Sequence, residues 1–90
     1  MRSIQLADEE LAQLAAQGDF DAFEELARRY SSPLFKFAFG MVHNQEDAAE
    51  ILQQTLIQVH KALPRRNPEA SFRSWLFTIA RHKCVDHSRK

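Results

Sequence analysis

Apolar residues recur every three or four positions along most of the chain, which is the spacing that places them on one side of an α-helix. No stretch alternates apolar and polar residues as a half-buried strand does. The pattern therefore predicts an all-α protein, a single domain over residues 1–90 built as a three- to four-helix bundle.

Capping residues place the first two helices. Asp8 is the predicted N-cap of a helix over 9–17, because its carboxylate can accept from the free backbone N–H groups of the first turn. Gly18 suits the residue that follows a helix end. Asp19 or Asp21 then begins a second helix.

Proline and asparagine divide the middle of the chain. Pro33, preceded by two serines, is expected to interrupt the second helix, which continues at a kink to Val42. Asn44 is the predicted N-cap of the third helix, with Asp47 three residues later as in a capping box. Pro64 stops that helix after Leu63.

The last helix begins after a proline-rich loop, residues 64–70, with Ser71 as its N-cap. Most of the core is expected to come from apolar residues of all the helices after the first. These are Phe20, Phe23, Leu26, Leu34, Phe37, Leu52, Leu56, Val59, Phe72, Leu76 and Ile79.

The outer side of the third helix is polar except for one residue. At about 100° per residue, five side chains gather on the side away from the core. They are Glu50, Gln53, Gln54, Ile57 and Lys61. An isoleucine ringed by polar residues indicates a partner surface, although a single surface isoleucine is also common.

Charge divides the chain although its formal net charge is zero. Residues 1–63 carry ten acidic and five basic side chains, whereas residues 64–90 carry two acidic and seven basic ones. A basic C-terminal third suits a phosphate backbone, since binding there releases counterions. Pairing of opposite charges within the fold explains the division equally well.

One side of the last helix combines cations with an aromatic ring. Arg73, Phe77 and Arg81 are spaced by four residues, so they lie along the same side. Cations that hold a backbone, beside a ring that stacks on an unpaired base, are typical of single-stranded nucleic-acid surfaces. Phe77 could equally pack on a neighbouring helix.

Composition narrows the other possibilities. No apolar run approaches the length of about 20 residues that spans a bilayer, and there is no secretory signal pattern, so a cytoplasmic protein without membrane insertion is expected. Cys84 with His87, or His82 with Asp86, could begin a nucleophilic or metal site, but no third ligand or phosphate loop completes one. We therefore expect no enzyme activity, cofactor or metal.

Two ordered motifs resemble a known family. Residues 47–56, followed after the loop by residues 72–81 and 86–89, resemble region 2 of the sigma-70 family, in its extracytoplasmic-function (ECF) group. Residues 18–26 and the segment up to Pro33 are similar to the N-terminal helices of that group. The resemblance covers the chain from about Asp8 onward.

The resemblance implies a transcription-initiation factor that docks on core RNA polymerase and recognises and melts the minus-ten promoter element. The implied polymerase contact is with the beta-prime coiled coil, through what we call the docking face: Asp47, Glu50, Gln53, Gln54, Ile57 and Lys61. The implied DNA contact is with the non-template single strand, through the loop and last helix. The residues concerned are Arg65, Arg66, Asn67, Arg73, Phe77, Arg81, His82, Lys83 and Arg89. Such factors also bind an anti-sigma factor.

The chain departs from the family pattern in several places. Ala49 and Gln54 stand where acids are frequent, which weakens docking by charge, and Leu56 stands where phenylalanine is frequent. His60 replaces a frequent tryptophan, and His82 a frequent asparagine, which puts a base contact at that position in doubt. No C-terminal helix-turn-helix (region 4) is present, so either an excised domain or a naturally short protein is expected.

A second class of function fits the same helices. A protein-interaction module that binds polymerase or an anti-sigma factor without touching DNA would share the fold and the docking face. Such a module has no need of a basic loop and last helix, and binding of single-stranded DNA separates the two hypotheses.

Overall fold

The computed structural model describes residues 5–88, which form four α-helices and a short 3₁₀ turn without any strand. Arg89, which the sequence places among the DNA contacts, lies outside the described residues. The helices are α1 (Asp8–Ala16), α2 (Phe20–Val42), α3 (Gln45–Ala62) and α4 (Phe72–Ser88), with the 3₁₀ turn at Leu63–Arg65. The predicted all-α bundle is confirmed.

Most of the predicted caps form as expected. The side-chain oxygen of Asp19 accepts from the backbone N–H of Ala22 at 3.1 Å, and that of Asn44 accepts from Asp47 at 2.9 Å. Ser71 accepts from the backbone N–H of Ser74 at 3.2 Å. Local hydrogen-bonding chemistry therefore sets where three of the four helices begin.

The start of α1 is different from the prediction. Ala7, not Asp8, is the N-cap, and the backbone N–H of Ala7 donates to Oε1 of Glu10 at 3.0 Å. Asp8 is the first helical residue, and its carboxylate accepts from Arg29 and from the hydroxyl of Tyr30. Tertiary partners on α2 have replaced the local capping role. Gly18 has φ +103°, as its predicted place after the helix end requires.

The second helix runs without interruption through Pro33, so the break predicted there does not occur. Proline in a helix interior removes one hydrogen bond and costs about 3 kcal/mol. Here Tyr30, Leu34 and Ala38 form a buried stripe that crosses the proline, which offsets this cost. Helix packing keeps α2 continuous over 23 residues.

The core lies where α1, α2 and α4 meet the C-terminal half of α3. Five predicted core residues are fully buried, namely Leu26, Leu34, Val59, Phe72 and Leu76. Five more are partly buried against them, namely Phe23, Phe37, Leu52, Leu56 and Ile79. The sequence missed Leu11 and Ala12 of α1, and Ile51 and Cys84, which join Ala38 and Ala48 in a smaller cluster.

The prediction that Phe20 belongs to the core is wrong, because Phe20 is 58% exposed. At about 100° per residue, Phe20 lies about 120° around α2 from the buried Leu26. The helical period therefore carried a signal that Phe20 faces away from the core.

Thr55 is fully buried in the middle of α3, and its hydroxyl has no hydrogen-bond partner among the described residues. A buried polar group left without a partner lowers stability by about 1–3 kcal/mol. Thr55→Val keeps the shape of the side chain and removes the hydroxyl. We expect this variant to raise the melting temperature by roughly 4–8 °C, measured by circular dichroism.

Thr78→Val is the matched control, since the hydroxyl of Thr78 is exposed and donates to the carbonyl of Ser74 at 2.9 Å. The control should change the melting temperature by little. A fall on Thr55→Val would contradict the unpartnered hydroxyl and would mean that it forms a hydrogen bond in solution.

Candidate functional site

The docking face is largely open to solvent along α3. Glu50, Gln53 and Lys61 are exposed, and Asp47 and Gln54 are half-buried. Ile57 is 52% exposed, in agreement with the sequence-based expectation of an apolar residue within a polar face. Gln54 Nε2 donates to Oε2 of Glu50 at 3.2 Å, so these two side chains support each other on the helix surface.

Ile57 does not stand alone, because it lines an apolar groove between α3 and the start of α2. The groove has a volume of about 320 Å³ and is bounded by Phe20, Phe23, Leu56 and His60 as well. The rings of Phe23 and His60 meet edge to face, with centroids 4.9 Å apart. An exposed phenylalanine beside an exposed isoleucine makes a contiguous patch of the kind that binds other proteins.

The sequence missed the contribution of Phe20 to this surface, since it assigned Phe20 to the core. His60 also lines this groove. The ring lies between the exposed Phe20, at 6.4 Å, and the half-buried Phe23.

Two neighbouring arginines of the loop before α4 have opposite environments. Arg65 is exposed, whereas only 5% of the Arg66 side chain is exposed. Arg66 Nη1 donates to the carbonyl of Ala70 at 2.7 Å, and its guanidinium lies 5.7 Å from the ring centroid of Phe72 and 5.6 Å from that of Trp75. This geometry holds the loop on α4, so Arg66 supports the loop from inside instead of meeting a ligand.

Asn67 lies at the exposed turn of the same loop. Its side-chain oxygen accepts from the backbone N–H of Glu69 at 3.0 Å, and its carbonyl accepts from Ala70 at 3.1 Å. The side-chain amide group of Asn67 is therefore held at the surface, beside the exposed Arg65.

Arg73, Phe77 and Arg81 share one side of α4, as predicted, and we call them the strand surface. Arg73 and Arg81 are exposed. Phe77 is half-buried, and its ring meets that of Phe37 edge to face at 5.3 Å. The guanidinium of Arg73 lies 4.9 Å from the centroid of the Phe77 ring. Of the two positions that the sequence leaves open for Phe77, the structure shows the packed one, because its ring lies against Phe37 of α2.

The remaining predicted DNA contacts of α4 lie elsewhere on the helix. His82 and Lys83 line a cavity of about 280 Å³ beside Gln58 of α3. At about 100° per residue, Lys83 lies about 160° around α4 from Arg81. The predicted cations do not form one continuous face, and only Arg73 and Arg81 lie with Phe77.

A polar network joins α1 to α2 beneath the strand surface. Asp8 accepts from Arg29 Nη1 at 2.9 Å and from the Tyr30 hydroxyl, and Arg29 also donates to the buried Glu25 at 3.0 Å. Burial and the hydrogen bond to Asp8 raise the pKa of Tyr30. The network keeps Tyr30 protonated and fixed beneath Arg73, whose guanidinium lies 5.7 Å from the Tyr30 ring centroid.

The candidate nucleophile, Cys84, is fully buried, and this burial raises the pKa of its thiol. A thiol that is inaccessible and protonated is a poor nucleophile. His87, the possible partner of Cys84, has its Nε2 atom 3.1 Å from Oδ2 of Asp47. That contact also brings the start of the docking face against the end of α4.

In the described part of the chain, none of the helices is both long enough and apolar enough to cross a membrane.

Residues 26–90 match the family model of Sigma-70 region 2. The chain belongs to this family. It is 38% identical over 82 residues to RNA polymerase sigma factor NccH of Alcaligenes xylosoxydans xylosoxydans, covering 91% of this chain and 44% of the relative. It is 31% identical over 84 residues to ECF RNA polymerase sigma factor SigM of Mycobacterium tuberculosis, covering 93% and 43%. The resemblance to ECF sigma factors is confirmed, and the chain spans less than half the length of these curated relatives.

Two solved structures are similar to this fold. An engineered region 2 of sigmaE, solved by NMR in complex with GTAAAA, superimposes with a TM-score of 0.86 at 26% identity, over 92% of this chain and 86% of that one. CnrH in complex with the cytosolic domain of CnrY gives a TM-score of 0.83 at 33% identity, over 88% of this chain and 51% of that one. The bundle is therefore that of sigma region 2.

Proposed function

We propose that this domain is a non-catalytic part of a sigma factor that works in the cytoplasm. It docks on core RNA polymerase and recognises and melts the minus-ten element during transcription initiation. The observation that carries the proposal is the exposed apolar patch on α3. Ile57 is 52% exposed within a polar face and lines the same groove as the exposed Phe20. Membership of the sigma region 2 family supports the same conclusion.

The docking face and its groove are assigned to the beta-prime coiled coil of the polymerase. Ile57 and Phe20 supply the apolar contact, and Glu50, Gln53 and Lys61 supply a polar rim. A buried apolar centre with a polar rim is the usual composition of a protein interface. Because Gln54 replaces a frequent acid, the apolar groove carries more of this contact than charge does.

The strand surface is assigned to the non-template strand, together with Arg65 and Asn67 of the loop. Arg73 and Arg81 are exposed cations on one side of α4, and the loop projects beside the start of that helix. Arg66 and Phe77 act from beneath by holding the loop and Arg73 in place. The sigmaE region 2 bound to GTAAAA, with the same fold, supports this assignment.

Arg81→Ala tests the DNA half of the proposal. We expect the affinity for a single-stranded oligonucleotide that carries GTAAAA to fall about 3- to 10-fold, measured by fluorescence anisotropy. The slope of log affinity against log salt should become shallower by about 0.7, the share of one phosphate contact on a single strand. Where the isolated domain binds too weakly, the measurement belongs in the polymerase holoenzyme.

Lys36→Ala is the matched control, because it removes one exposed positive charge from α2, outside the strand surface. It should leave the affinity and the salt slope close to those of the parent protein. An equal loss in both variants would indicate attraction by overall charge alone and would contradict a specific strand surface.

A protein-interaction role without DNA contact is the second candidate function. The apolar groove favours it, and so does the structure of CnrH, a relative of the same fold, in complex with the cytosolic domain of CnrY. An anti-sigma factor that covers the docking face would then regulate the domain. Salt-dependent binding of single-stranded DNA that depends on Arg81 separates the two functions.

A further inference from the structure

Three metal-ligating side chains converge where the start of α3 meets the end of α4. Asp47 and Glu50 lie three residues apart on α3, and His87 comes from the last turn of α4. Each offers one ligand atom, and these atoms all lie within 4.8 Å of one another. His87 Nε2 and Asp47 Oδ2 are already 3.1 Å apart.

The imidazole makes this cluster different from the acidic residues that usually begin a helix. Acids in a first turn are explained by the helix dipole, which favours negative charge there. That explanation does not extend to His87, which belongs to another helix and is held with only 20% of its side chain exposed. The imidazole nitrogen of His87 therefore faces the two carboxylates of α3 from a neighbouring helix, α4.

The spacing of the ligand atoms fits a small metal ion. Zinc binds nitrogen at about 2.0–2.1 Å and carboxylate oxygen at about 2.0–2.2 Å, so its tetrahedral ligands lie about 3.4 Å apart. His87 Nε2 and Asp47 Oδ2, at 3.1 Å, lie within about 0.3 Å of that distance. Glu50 is exposed, so rotation of its side chain can bring its carboxylate to the same point.

We propose that Asp47, Glu50 and His87 form a binding site for a divalent transition-metal ion of the zinc class. One nitrogen and two oxygen donors suit zinc, cobalt or nickel, whereas magnesium and calcium prefer ligand sets of oxygen alone. Three protein ligands leave a coordination position for water.

Occupation of this site regulates docking, and this part of the inference rests on the proposed function. Asp47 and Glu50 belong to the docking face, so a bound cation neutralises two of its acids, holds the Asp47 carboxylate against α4 and turns that of Glu50 toward it. Zinc binding and polymerase binding therefore compete for the same side chains.

Titration of zinc chloride into the tag-free 90-residue protein, followed by calorimetry, tests the site. We expect one ion per chain at saturation, and at least a tenfold weaker affinity in His87→Gln and in Glu50→Gln. His82→Gln is the matched control, since His82 is an exposed histidine of the same helix outside the cluster. It should bind zinc as the parent protein does. Cobalt should give a visible absorption spectrum that His87→Gln loses.

Absence of saturable zinc binding, or an equal loss in His82→Gln and His87→Gln, would overturn the site. Regulation is measured separately, as affinity for core polymerase with zinc or with a chelator. Zinc should weaken binding of the parent protein at least threefold and leave His87→Gln unchanged, and an equal effect on both would overturn the competition. No binding in the chelator would contradict the proposed function, while the zinc titration would still decide the site.

Discussion

Replacing Arg66 by alanine is expected to lower the free energy of unfolding by about 2 kcal/mol, and the melting temperature by roughly 10 °C. The variant removes a hydrogen bond to the Ala70 carbonyl and two cation–π contacts, with the rings of Phe72 and Trp75. The weaker ion pair with Glu9, at 3.5 Å, adds little because Glu9 is 54% exposed. Urea denaturation and thermal melts followed by circular dichroism measure the change.

Arg65→Ala is an adjacent control that changes the charge by the same amount. Arg65 is exposed, so its removal should shift the free energy of unfolding by less than about 0.5 kcal/mol. Arg66→Lys keeps the charge but loses the planar group that lies against Phe72 and Trp75, so an intermediate loss is expected. Equal stability in Arg65→Ala and Arg66→Ala would show that Arg66 is not structural.

Ile57→Asp is expected to weaken binding to core RNA polymerase about 100-fold. Burial of an isoleucine contributes about 1.5–3 kcal/mol, and a carboxylate in the same apolar groove adds a desolvation penalty. Each 1.4 kcal/mol corresponds to a tenfold change in affinity. Because Ile57 is 52% exposed, its replacement should leave the melting temperature nearly unchanged. Competition between Ile57→Asp and the parent protein for core polymerase, each carrying a different label, gives the ratio of their two affinities.

Gln58→Asp is the matched control for Ile57→Asp. Gln58 is the next residue of α3 and is exposed, but it lines the cavity beside His82 and Lys83, away from the groove. Polymerase binding should be retained in this variant. Phe20→Ala should resemble Ile57→Asp in direction, since Phe20 lines the same groove. A melting temperature lowered by many degrees in Ile57→Asp would place Ile57 in the core and remove the basis of the docking face.

The helix boundaries were predictable because the signals that set them are local. Asp19, Asn44 and Ser71 each cap a helix through a hydrogen bond to a backbone N–H three residues away. Such a bond depends only on the sequence between its two ends. The exposure of Ile57 was predictable for the same reason, since it follows from the helical period.

Apart from Phe20, whose position the helical period indicates, the following errors and open choices depend on contacts between different elements of the fold. Arg66 and Arg65 are identical in type and neighbours in sequence, and only the packing of Phe72 and Trp75 decides which of them turns inward. The helical period leaves open whether Phe77 is exposed or packed, and only its contact with Phe37 on another helix decides between the two. Asp8 does not cap α1, because its carboxylate accepts a hydrogen bond from Arg29, which is 21 residues away in the sequence. Periodicity assigns a side to a residue but does not say what covers that side.

On the proposed function, the uninterrupted helix α2 links the two binding surfaces of the domain. Its first turn lines the groove beside Ile57, and its middle supports Phe77 and Arg73 of the strand surface through Tyr30 and Phe37. One continuous helix joins the groove to the side chains that support the strand surface. On the proposed function, a movement that the polymerase imposes on the first turn of α2 also moves the residues beneath the strand surface, so one helix couples the protein contact to the DNA contact.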